Sequence, residues 1–239
     1  MNNGSTILSF FKRIGKSFGL LMIGLSLLVA GCSQEPTTET PAPEVKAPAP
    51  AYEGTIVAVG DSLTAGLGVD EEMAYPAQLE RRLTANGYHF RVVNAGVSGE
   101  TSSGALSRID WVVASLQPDI VILETGANDG LRGLDPGLLE SNLDRLIERL
   151  TGQNIQVILA GMQMLPNLGP EYIQAFADIY PRIAAKHGVL LVPFFLEGVA
   201  GRPELNQDDR LHPTAKGYAR IVETVYPIVV TAIQQHRLR

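Results

Sequence analysis

Cysteine, basic charge and long apolar runs are all scarce in this 239-residue sequence. The single cysteine, Cys32, excludes an internal disulfide and leaves no second thiolate for a cysteine-based metal site. The formal net charge is −6 and no basic stripe is visible, which argues against a nucleic-acid partner. With 45% hydrophobic and 18% charged residues, the composition suits one medium-sized globular domain with a substantial core.

The N-terminal apolar stretch is too short for a membrane-spanning helix. Phe18 to Ala30 is about 13 residues long, against the roughly 20 that cross a bilayer. Three basic residues precede it, namely Lys12, Arg13 and Lys16. This order predicts a secretory signal peptide over residues 1–31. Its removal would leave the mature chain with a net charge of about −9, since the leader contains no acid.

The end of this leader, Leu28-Val29-Ala30-Gly31-Cys32, resembles the lipobox of bacterial lipoproteins, although leucine is commonest where Val29 lies. The resemblance implies that Cys32 is acylated and becomes the mature N-terminus, with several acyl chains anchoring the protein firmly. We therefore expect an exported protein, lipid-anchored to the cell envelope on its periplasmic face. Ser33, in place of a retention aspartate, favours the outer membrane. Ordinary cleavage and an uncleaved anchor are the alternatives.

Residues 32–51 form the predicted linker between this cysteine and the rest of the chain. Ser33 to Ala51 holds five prolines, many small residues and no periodic apolar positions, so it cannot bury a core. We interpret it as an extended spacer that holds a domain away from a surface. The remaining residues, 52–239, show no internal repeat and are predicted to form one domain.

Within that domain, short apolar runs alternate with helical patterns. The predicted strands are rich in Val, Ile and Leu on both faces, as in parallel strands covered on each side: Thr55–Val59, Phe90–Asn94, Ile120–Glu124, Gln156–Ala160 and Val189–Val192. The predicted helices are Tyr75–Asn86, Ser102–Ser115, Pro136–Thr151, Pro170–His187 and Pro213–Gln235. This alternation predicts a three-layer α/β/α sandwich with a five-stranded parallel sheet.

Polar and glycine-rich segments follow the first three predicted strands. Gly60-Asp61-Ser62-Leu63 follows the first, residues 94–101 follow the second, and residues 125–130 follow the third. Ligands and catalysts gather at the carboxyl ends of parallel strands. We therefore expect the three segments to meet at one edge of the sheet.

Ser62 is the candidate nucleophile. Gly-Asp-Ser-Leu alone is a weak signal, since Asp61 and Ser62 are also good helix N-caps after a strand. The segment is not the nucleophile elbow of α/β-hydrolases, because Thr64 stands where that motif has glycine. At a helix N-terminus, however, backbone N–H groups and the helix dipole favour a developing alkoxide.

Asp209 and His212 supply the matching acid and base. Three residues apart in one turn, their side chains can meet, so Asp209 would fix the tautomer and leave the other nitrogen to take the Ser62 proton. Asp208 is a competing neighbour whose one-residue offset points it elsewhere. The other histidines occupy unremarkable positions beside turns or in the C-terminal tail: His89, His187 and His236.

Acyl transfer also needs donors aimed at the oxyanion, and three are available. The Ser62 backbone N–H is one, and Gly99 lets the backbone approach a substrate closely because it lacks Cβ. Asn128 offers a neutral side-chain amide. An ordinary turn glycine and a turn-forming asparagine remain equally good interpretations of the last two when each is taken alone.

Taken together, these segments resemble the GDSL, or SGNH, hydrolase family over about Thr55 to the C-terminus. Ser62 matches the family's nucleophile, Gly99 and Asn128 its second and third blocks, and Asp209 and His212 its last block. The resemblance implies the flavodoxin-like fold of that family and a Ser62, Gly99 and Asn128 oxyanion hole. It is closest to the bacterial acyl-thioesterase, arylesterase and lysophospholipase group.

We therefore expect a serine esterase with an acyl-enzyme intermediate, no metal and no cofactor, acting as a monomer on small acyl esters. Aryl esters, lysophospholipids and acyl thioesters are the substrates that the resemblance implies, and loops 67–73 and 163–172 are expected to wall the cleft. Anchoring outside the cytoplasm argues against acyl-CoA as the natural substrate. The alternatives are a carbohydrate O-deacetylase of the cell envelope and a non-catalytic binding module.

Overall fold

The protein was analysed as a computed structural model, which describes residues 51–164 and 166–239. The predicted signal peptide, Cys32 and all of the predicted linker except Ala51 lie outside the described residues.

A parallel sheet of five strands forms the centre of the domain, with the spatial order β2-β1-β3-β4-β5. The strands are β1 Gly54–Gly60, β2 Phe90–Gly96, β3 Ile120–Glu124, β4 Gln156–Ala160 and β5 Leu190–Val192. In this order the switch point lies between β1 and β3, whose carboxyl ends are the expected place for a ligand site.

Helices cover both sides of the sheet. They are α1 Ser62–Ala65, α2 Tyr75–Ala85, α3 Ser102–Leu116, α4 Ala127–Leu131, α5 Pro136–Thr151, α6 Pro170–His187 and α7 Ala215–His236. Helices α2 and α7 pack together, while α5 packs between α3 and α6. The predicted three-layer sandwich with five parallel strands is confirmed.

The sequence explains why these elements form. The β-branched and aliphatic run Ile56–Val59 is fully buried, as a central parallel strand requires. Helix α5 begins at Pro136, and the Asp135 carboxylate caps it by accepting from the Gly137 N–H at 2.9 Å. Within the described residues, no helix combines the length and apolarity of a membrane span.

The start of the last helix was predicted two residues too early. Helix α7 begins at Ala215, with Thr214 as its N-cap. Pro213 instead forms an isolated antiparallel bridge with Asn206. This bridge closes the intervening residues into a loop, so the segment that carries Asp209 and His212 is anchored at both ends.

Candidate active site

Ser62 lies where β1 turns sharply into α1. Asp61 is the N-cap of this helix, and its Oδ1 accepts a hydrogen bond from the Leu63 N–H at 2.9 Å. Gly96 on neighbouring β2 permits the close approach of α1, because a Cβ at Gly96 would lie 2.2 Å from the Ala65 nitrogen. Ser62 is 8% exposed and lines a cleft, so its hydroxyl can be reached without projecting into solvent.

The imidazole of His212 bridges Ser62 and Asp209. Its Nε2 lies 2.9 Å from Ser62 Oγ, and its Nδ1 lies 2.6 Å from Asp209 Oδ2. Asp209, not Asp208, therefore contacts the ring. With a proton on Nδ1 donated to the carboxylate, Nε2 is left to accept the Ser62 proton.

The loop around Asp209 favours a charged carboxylate. Asp209 Oδ1 accepts from the backbone N–H groups of His212 at 3.0 Å and Leu211 at 2.9 Å. The hydrogen bonds from the backbone and the ring of His212, followed by that from Leu211, lower the pKa of Asp209 to about 2. Asp209 is therefore ionised throughout the physiological pH range and can hold the imidazole in one orientation.

The predicted oxyanion donors lie beside Ser62 in the same cleft. The Ser62 N–H, in the first turn of α1, has no acceptor within its own helix. Gly99 has φ +79°, a conformation that glycine adopts without strain. The Asn128 amide is already held in place, since its Nδ2 donates to Asp61 Oδ2 at 2.9 Å and to the Glu100 carbonyl at 3.0 Å. An oxyanion would therefore have to share an Asn128 hydrogen or displace one of these acceptors.

A second buried carboxyl lies behind the nucleophile turn. Glu124, at the end of β3, is fully buried, and its Oε2 accepts from the Thr64 hydroxyl at 2.8 Å and the Asp61 N–H at 3.3 Å. Burial, reinforced by the neighbouring Asp61, raises the pKa of Glu124 well above its usual value. Burial also raises the pKa of Asp61 to about 6, although hydrogen bonds from Leu63 and Asn128 oppose that effect. These shifts limit the negative charge beneath Ser62.

An ion pair holds the loop after β2. The Arg108 guanidinium on α3 makes two contacts with the Glu100 carboxylate, Nε to Oε1 at 2.7 Å and Nη2 to Oε2 at 2.6 Å. It also donates to the Ala95 carbonyl at 2.8 Å. The side chains are only 19% and 7% exposed. Because Glu100 follows Gly99 and its carbonyl orients Asn128, this pair supports two of the predicted oxyanion donors.

Helix α4 is tied to the same loop from the other side. Asp129 accepts from the Ser102 backbone N–H at 2.8 Å and from the Ser102 hydroxyl at 2.5 Å. Arg132 donates from Nη2 to the Gly99 carbonyl at 2.7 Å. The segments after β2 and β3 therefore form one hydrogen-bonded unit next to the nucleophile.

The cleft above Ser62 has a volume of about 300 Å³ and is predominantly apolar. Its large apolar lining residues are Leu63, Leu67, Leu131, Met162, Met164, Phe194, Leu196 and Leu211. Of the described residues in the predicted wall loops, Leu67 from the first and Gln163 and Met164 from the second line the cleft. Among the described residues, no group of three or more His, Cys, Asp or Glu side chains is arranged to hold a metal ion.

The structure thus places all five residues singled out from the sequence at one site: Ser62, Gly99, Asn128, Asp209 and His212. The sequence interpretation did not identify Glu100, Arg108 or Glu124 as supporting groups. For Glu124, a carboxylate ending an otherwise apolar strand is a signal in the sequence, because an acid is rarely buried without a partner. For Glu100 and Arg108, the spacing across a loop and a helix gives no comparable signal.

An α/β/α sandwich with a Ser-His-Asp array at the carboxyl ends of its strands defines a serine hydrolase. Residues 58–220 match the profile of the GDSL-like Lipase/Acylhydrolase family. The chain belongs to this family, and it is a carboxylic ester hydrolase.

Named relatives support this assignment. Esterase TesA of Pseudomonas aeruginosa strain PAO1 is 43% identical over 173 residues, which are 72% of this chain and 86% of the relative. The thioesterase 1/protease 1/lysophospholipase L1 of Escherichia coli strain K12 is 37% identical over 159 residues, 66% of this chain and 75% of the relative. Both similarities cover most of the described domain.

A solved structure extends the similarity to three dimensions. The psychrotrophic esterase EstA from Pseudoalteromonas sp., in a form inhibited by monoethylphosphonate, superimposes with a TM-score of 0.73 at 32% identity. The match covers 76% of this chain and all of that chain. The sequence-based predictions of family, fold and esterase class are therefore confirmed.

Proposed function

We propose that Ser62, His212 and Asp209 carry out ester hydrolysis through an acyl-enzyme. His212 Nε2 removes the Ser62 proton as Oγ attacks the carbonyl carbon, and the same proton then passes to the leaving alcohol. Water, deprotonated by His212, attacks the acyl-enzyme and releases the acid and free Ser62. The observation that carries the proposal is the 2.9 Å contact between His212 Nε2 and Ser62 Oγ in a ring already fixed by Asp209.

In this proposal the carbonyl oxygen points at the N–H groups of Ser62 and Gly99 and at the Asn128 amide. Charge on that oxygen grows as the tetrahedral intermediate forms, so fixed donors stabilise the transition state more than the ground state. The hydrogen bonds of Asn128 to Asp61 and Glu100 support this role, because they hold the amide beside Ser62 before substrate arrives.

We infer that the acyl half is a fatty group larger than acetyl. The apolar cleft of about 300 Å³ supports this, because an acetyl group would leave most of its lining in contact with water. The E. coli relative is named a thioesterase and lysophospholipase, which supports acyl thioesters and lysophospholipids beside aryl esters as substrates. The cleft therefore favours this class over a carbohydrate O-deacetylase.

A fluorophosphonate probe tests the proposal, since it forms a stable bond only with an activated serine. We expect the purified protein to be labelled at Ser62 and to lose hydrolysis of p-nitrophenyl butyrate in parallel. Ser62→Ala should show neither labelling nor turnover, with an unchanged melting temperature. Ser107 on α3, whose side chain is exposed, offers a matched control. Ser107→Ala should be labelled by the probe and should hydrolyse p-nitrophenyl butyrate like the unmodified protein. Turnover by Ser62→Ala above about one per cent would contradict the assignment.

We also propose that the domain is tethered to the bacterial envelope by lipid on Cys32 and acts there as a monomer. The lipobox-like stretch before Cys32 and the proline-rich spacer after it support the tether. The acidic net charge supports covalent anchoring over electrostatic adsorption, because an acidic surface is repelled by anionic lipids.

A further inference from the structure

The cleft carries one exposed formal charge among its described lining residues, and that charge is the guanidinium of Arg210. The other charged lining residue, Asp61, is buried and hydrogen-bonded, whereas Arg210 is exposed. Most other lining side chains are apolar. A cation at this position also runs against the acidic balance of the whole chain.

Arg210 is unusual in its backbone as well. Its φ is +61°, in the left-handed region that glycine occupies most readily. This conformation belongs to the turn in which the N–H groups of Leu211 and His212 point back at Asp209. Glycine would satisfy the turn without strain, so the geometry of the loop does not account for a long cationic side chain here.

Within the described residues, Arg210 also lacks an ion pair, although six of the other arginines have one. Arg81, Arg108, Arg149, Arg182, Arg220 and Arg237 each contact a carboxylate. The Arg210 guanidinium contacts no carboxylate of the described residues, although Asp208 and Asp209 are close in sequence. It is therefore available to a group that enters the cleft.

The direction of the reaction indicates which half of a substrate Arg210 would meet. His212 must protonate the leaving oxygen, so the alcohol half of the ester lies against the imidazole, away from the donors on Gly99 and Asn128. Arg210 lies two residues before His212 on the same short loop and lines the same cleft. Its place on the loop that carries His212 favours contact with the departing alcohol over contact with the acyl chain.

We propose that Arg210 binds an anionic group on the alcohol half of the ester, such as the phosphate of an acylated glycerol phosphate. A phosphate is separated from the acyl ester only by the glycerol backbone, and a guanidinium donates to phosphate in a bidentate manner. This inference rests on the proposed esterase function, and it adds a specificity residue to that site.

Two soluble esters with the same acyl chain test the proposal. The substrates are 1-butyrylglycerol 3-phosphate and 1-butyrylglycerol, which differ only in the phosphate, and the readout is the ratio of their kcat/KM values. We expect Arg210→Gly, which also relieves the positive φ, to lower this ratio about fivefold, and Arg210→Glu to lower it about tenfold or more. Added salt should lower the ratio of the original protein towards that of Arg210→Gly.

Arg145→Glu is the matched control, since Arg145 is exposed on α5, lies outside the cleft and gives the same change of net charge. We expect it to leave the ratio unchanged. An equal fall of the ratio in Arg145→Glu would mean that the net charge of the protein, and not Arg210 itself, determines the preference for the phosphorylated ester. An unaltered ratio in Arg210→Glu would mean that Arg210 only offsets its acidic neighbours. Either result overturns the proposal.

A second pair of esters tests which half of the substrate is recognised. Monomethyl succinate carries its charge on the acyl half, and methyl butyrate carries none. We expect the ratio for this pair to change less than twofold in Arg210→Glu, and a tenfold fall would overturn the assignment to the alcohol. Failure of the original protein to hydrolyse 1-butyrylglycerol and p-nitrophenyl butyrate would overturn the proposed function itself, and this inference with it.

Discussion

At the scale of single residues, the protonation of Glu124 decides how much charge lies beneath Ser62, the proposed nucleophile. Glu124 Oε1 has no hydrogen-bond partner among the described residues, while Oε2 accepts two bonds. An ionised, fully buried carboxylate with one unpartnered oxygen would be costly, so burial favours the protonated acid. A neutral Glu124 leaves Asp61 as the main negative charge facing the Asn128 amide.

Glu124→Gln tests this state through stability. Because the pKa of Glu124 is raised in the folded protein, the unfolded chain loses its proton first, and the free energy of unfolding falls as pH rises above about 4.3. The loss is at most about 1.4 kcal/mol per pH unit and stops at the folded pKa. Glutamine lacks this loss, so we expect Glu124→Gln to be more stable than the original at pH 7, with a smaller difference at pH 5.

Urea unfolding at the two pH values measures the effect. The exposed Glu148 on α5 provides the control. The free energy of unfolding of Glu148→Gln should differ from that of the unmodified protein by the same amount at pH 5 and pH 7. A Glu124→Gln protein that is destabilised equally at pH 5 and pH 7 would mean that the native carboxyl is ionised and well paired.

At the scale of secondary-structure elements, the site depends on cross-links between loops that follow different strands. Arg108 on α3 connects the Glu100 carboxylate to the Ala95 carbonyl, and Asp129 on α4 holds the first residue of α3. These contacts fix the turn that carries Gly99 and orients Asn128. The residues that make these contacts are not among the described lining residues of the cleft, so their loss should affect transition-state stabilisation more than substrate binding.

The double variant Glu100→Gln/Arg108→Gln removes this ion pair without leaving one buried charge uncompensated. We expect kcat to fall about tenfold with KM changed less than twofold, because a looser turn weakens donors that act mainly on the oxyanion. The comparison is Asp110→Asn/Arg149→Gln, which removes an exposed pair between α3 and α5. Equal kinetics in the two double variants would show that the buried pair stabilises the fold only.

The elements themselves could be predicted from local sequence, whereas their cross-links could not. Four predicted elements begin and end at the residues that the structure shows, because apolar runs, prolines and glycines mark them locally: Ile120–Glu124, Pro136–Thr151, Gln156–Ala160 and Pro170–His187. A helix starting near Ser62 was expected but its length was not, and α4 was not predicted, since four or five residues give no helical periodicity. The start of α7 was misplaced because Pro213 pairs with Asn206, a contact that depends on tertiary structure.

The same holds for the site, where the residues could be predicted from local sequence but the contacts between them could not. Ser62, Asp209 and His212 could be proposed from motif and spacing, since their chemistry is recognisable in each short segment. The bonds from Asn128 to Asp61 and to Glu100 span 67 and 28 residues, and no local pattern encodes them. The packing of β1, β2 and β3 side by side creates these contacts.

At the scale of the whole molecule, the chain enters the sheet at the end opposite the cleft. The chain enters β1 at Gly54, and the site lies beyond Gly60 at the other end of that strand. A strand of seven residues spans about 23 Å, whereas a fully extended linker of residues 32–51 spans about 65 Å. The predicted linker, if extended, would therefore be long enough for the cleft to face an envelope surface or to face away from it.

Cys32→Ser tests the tether that this geometry allows. Without a thiol there is no thioether-linked lipid, so we expect the protein to leave the membrane fraction and to lose incorporation of labelled palmitate in cells. Ser33→Ala, a neighbouring change that keeps the cysteine, should fractionate like the original. An uncleaved apolar leader would instead keep Cys32→Ser in the membrane fraction at the mass of the full chain. Because the domain from Tyr52 onward contains the complete Ser-His-Asp array, kcat on p-nitrophenyl butyrate should be the same for released and anchored protein.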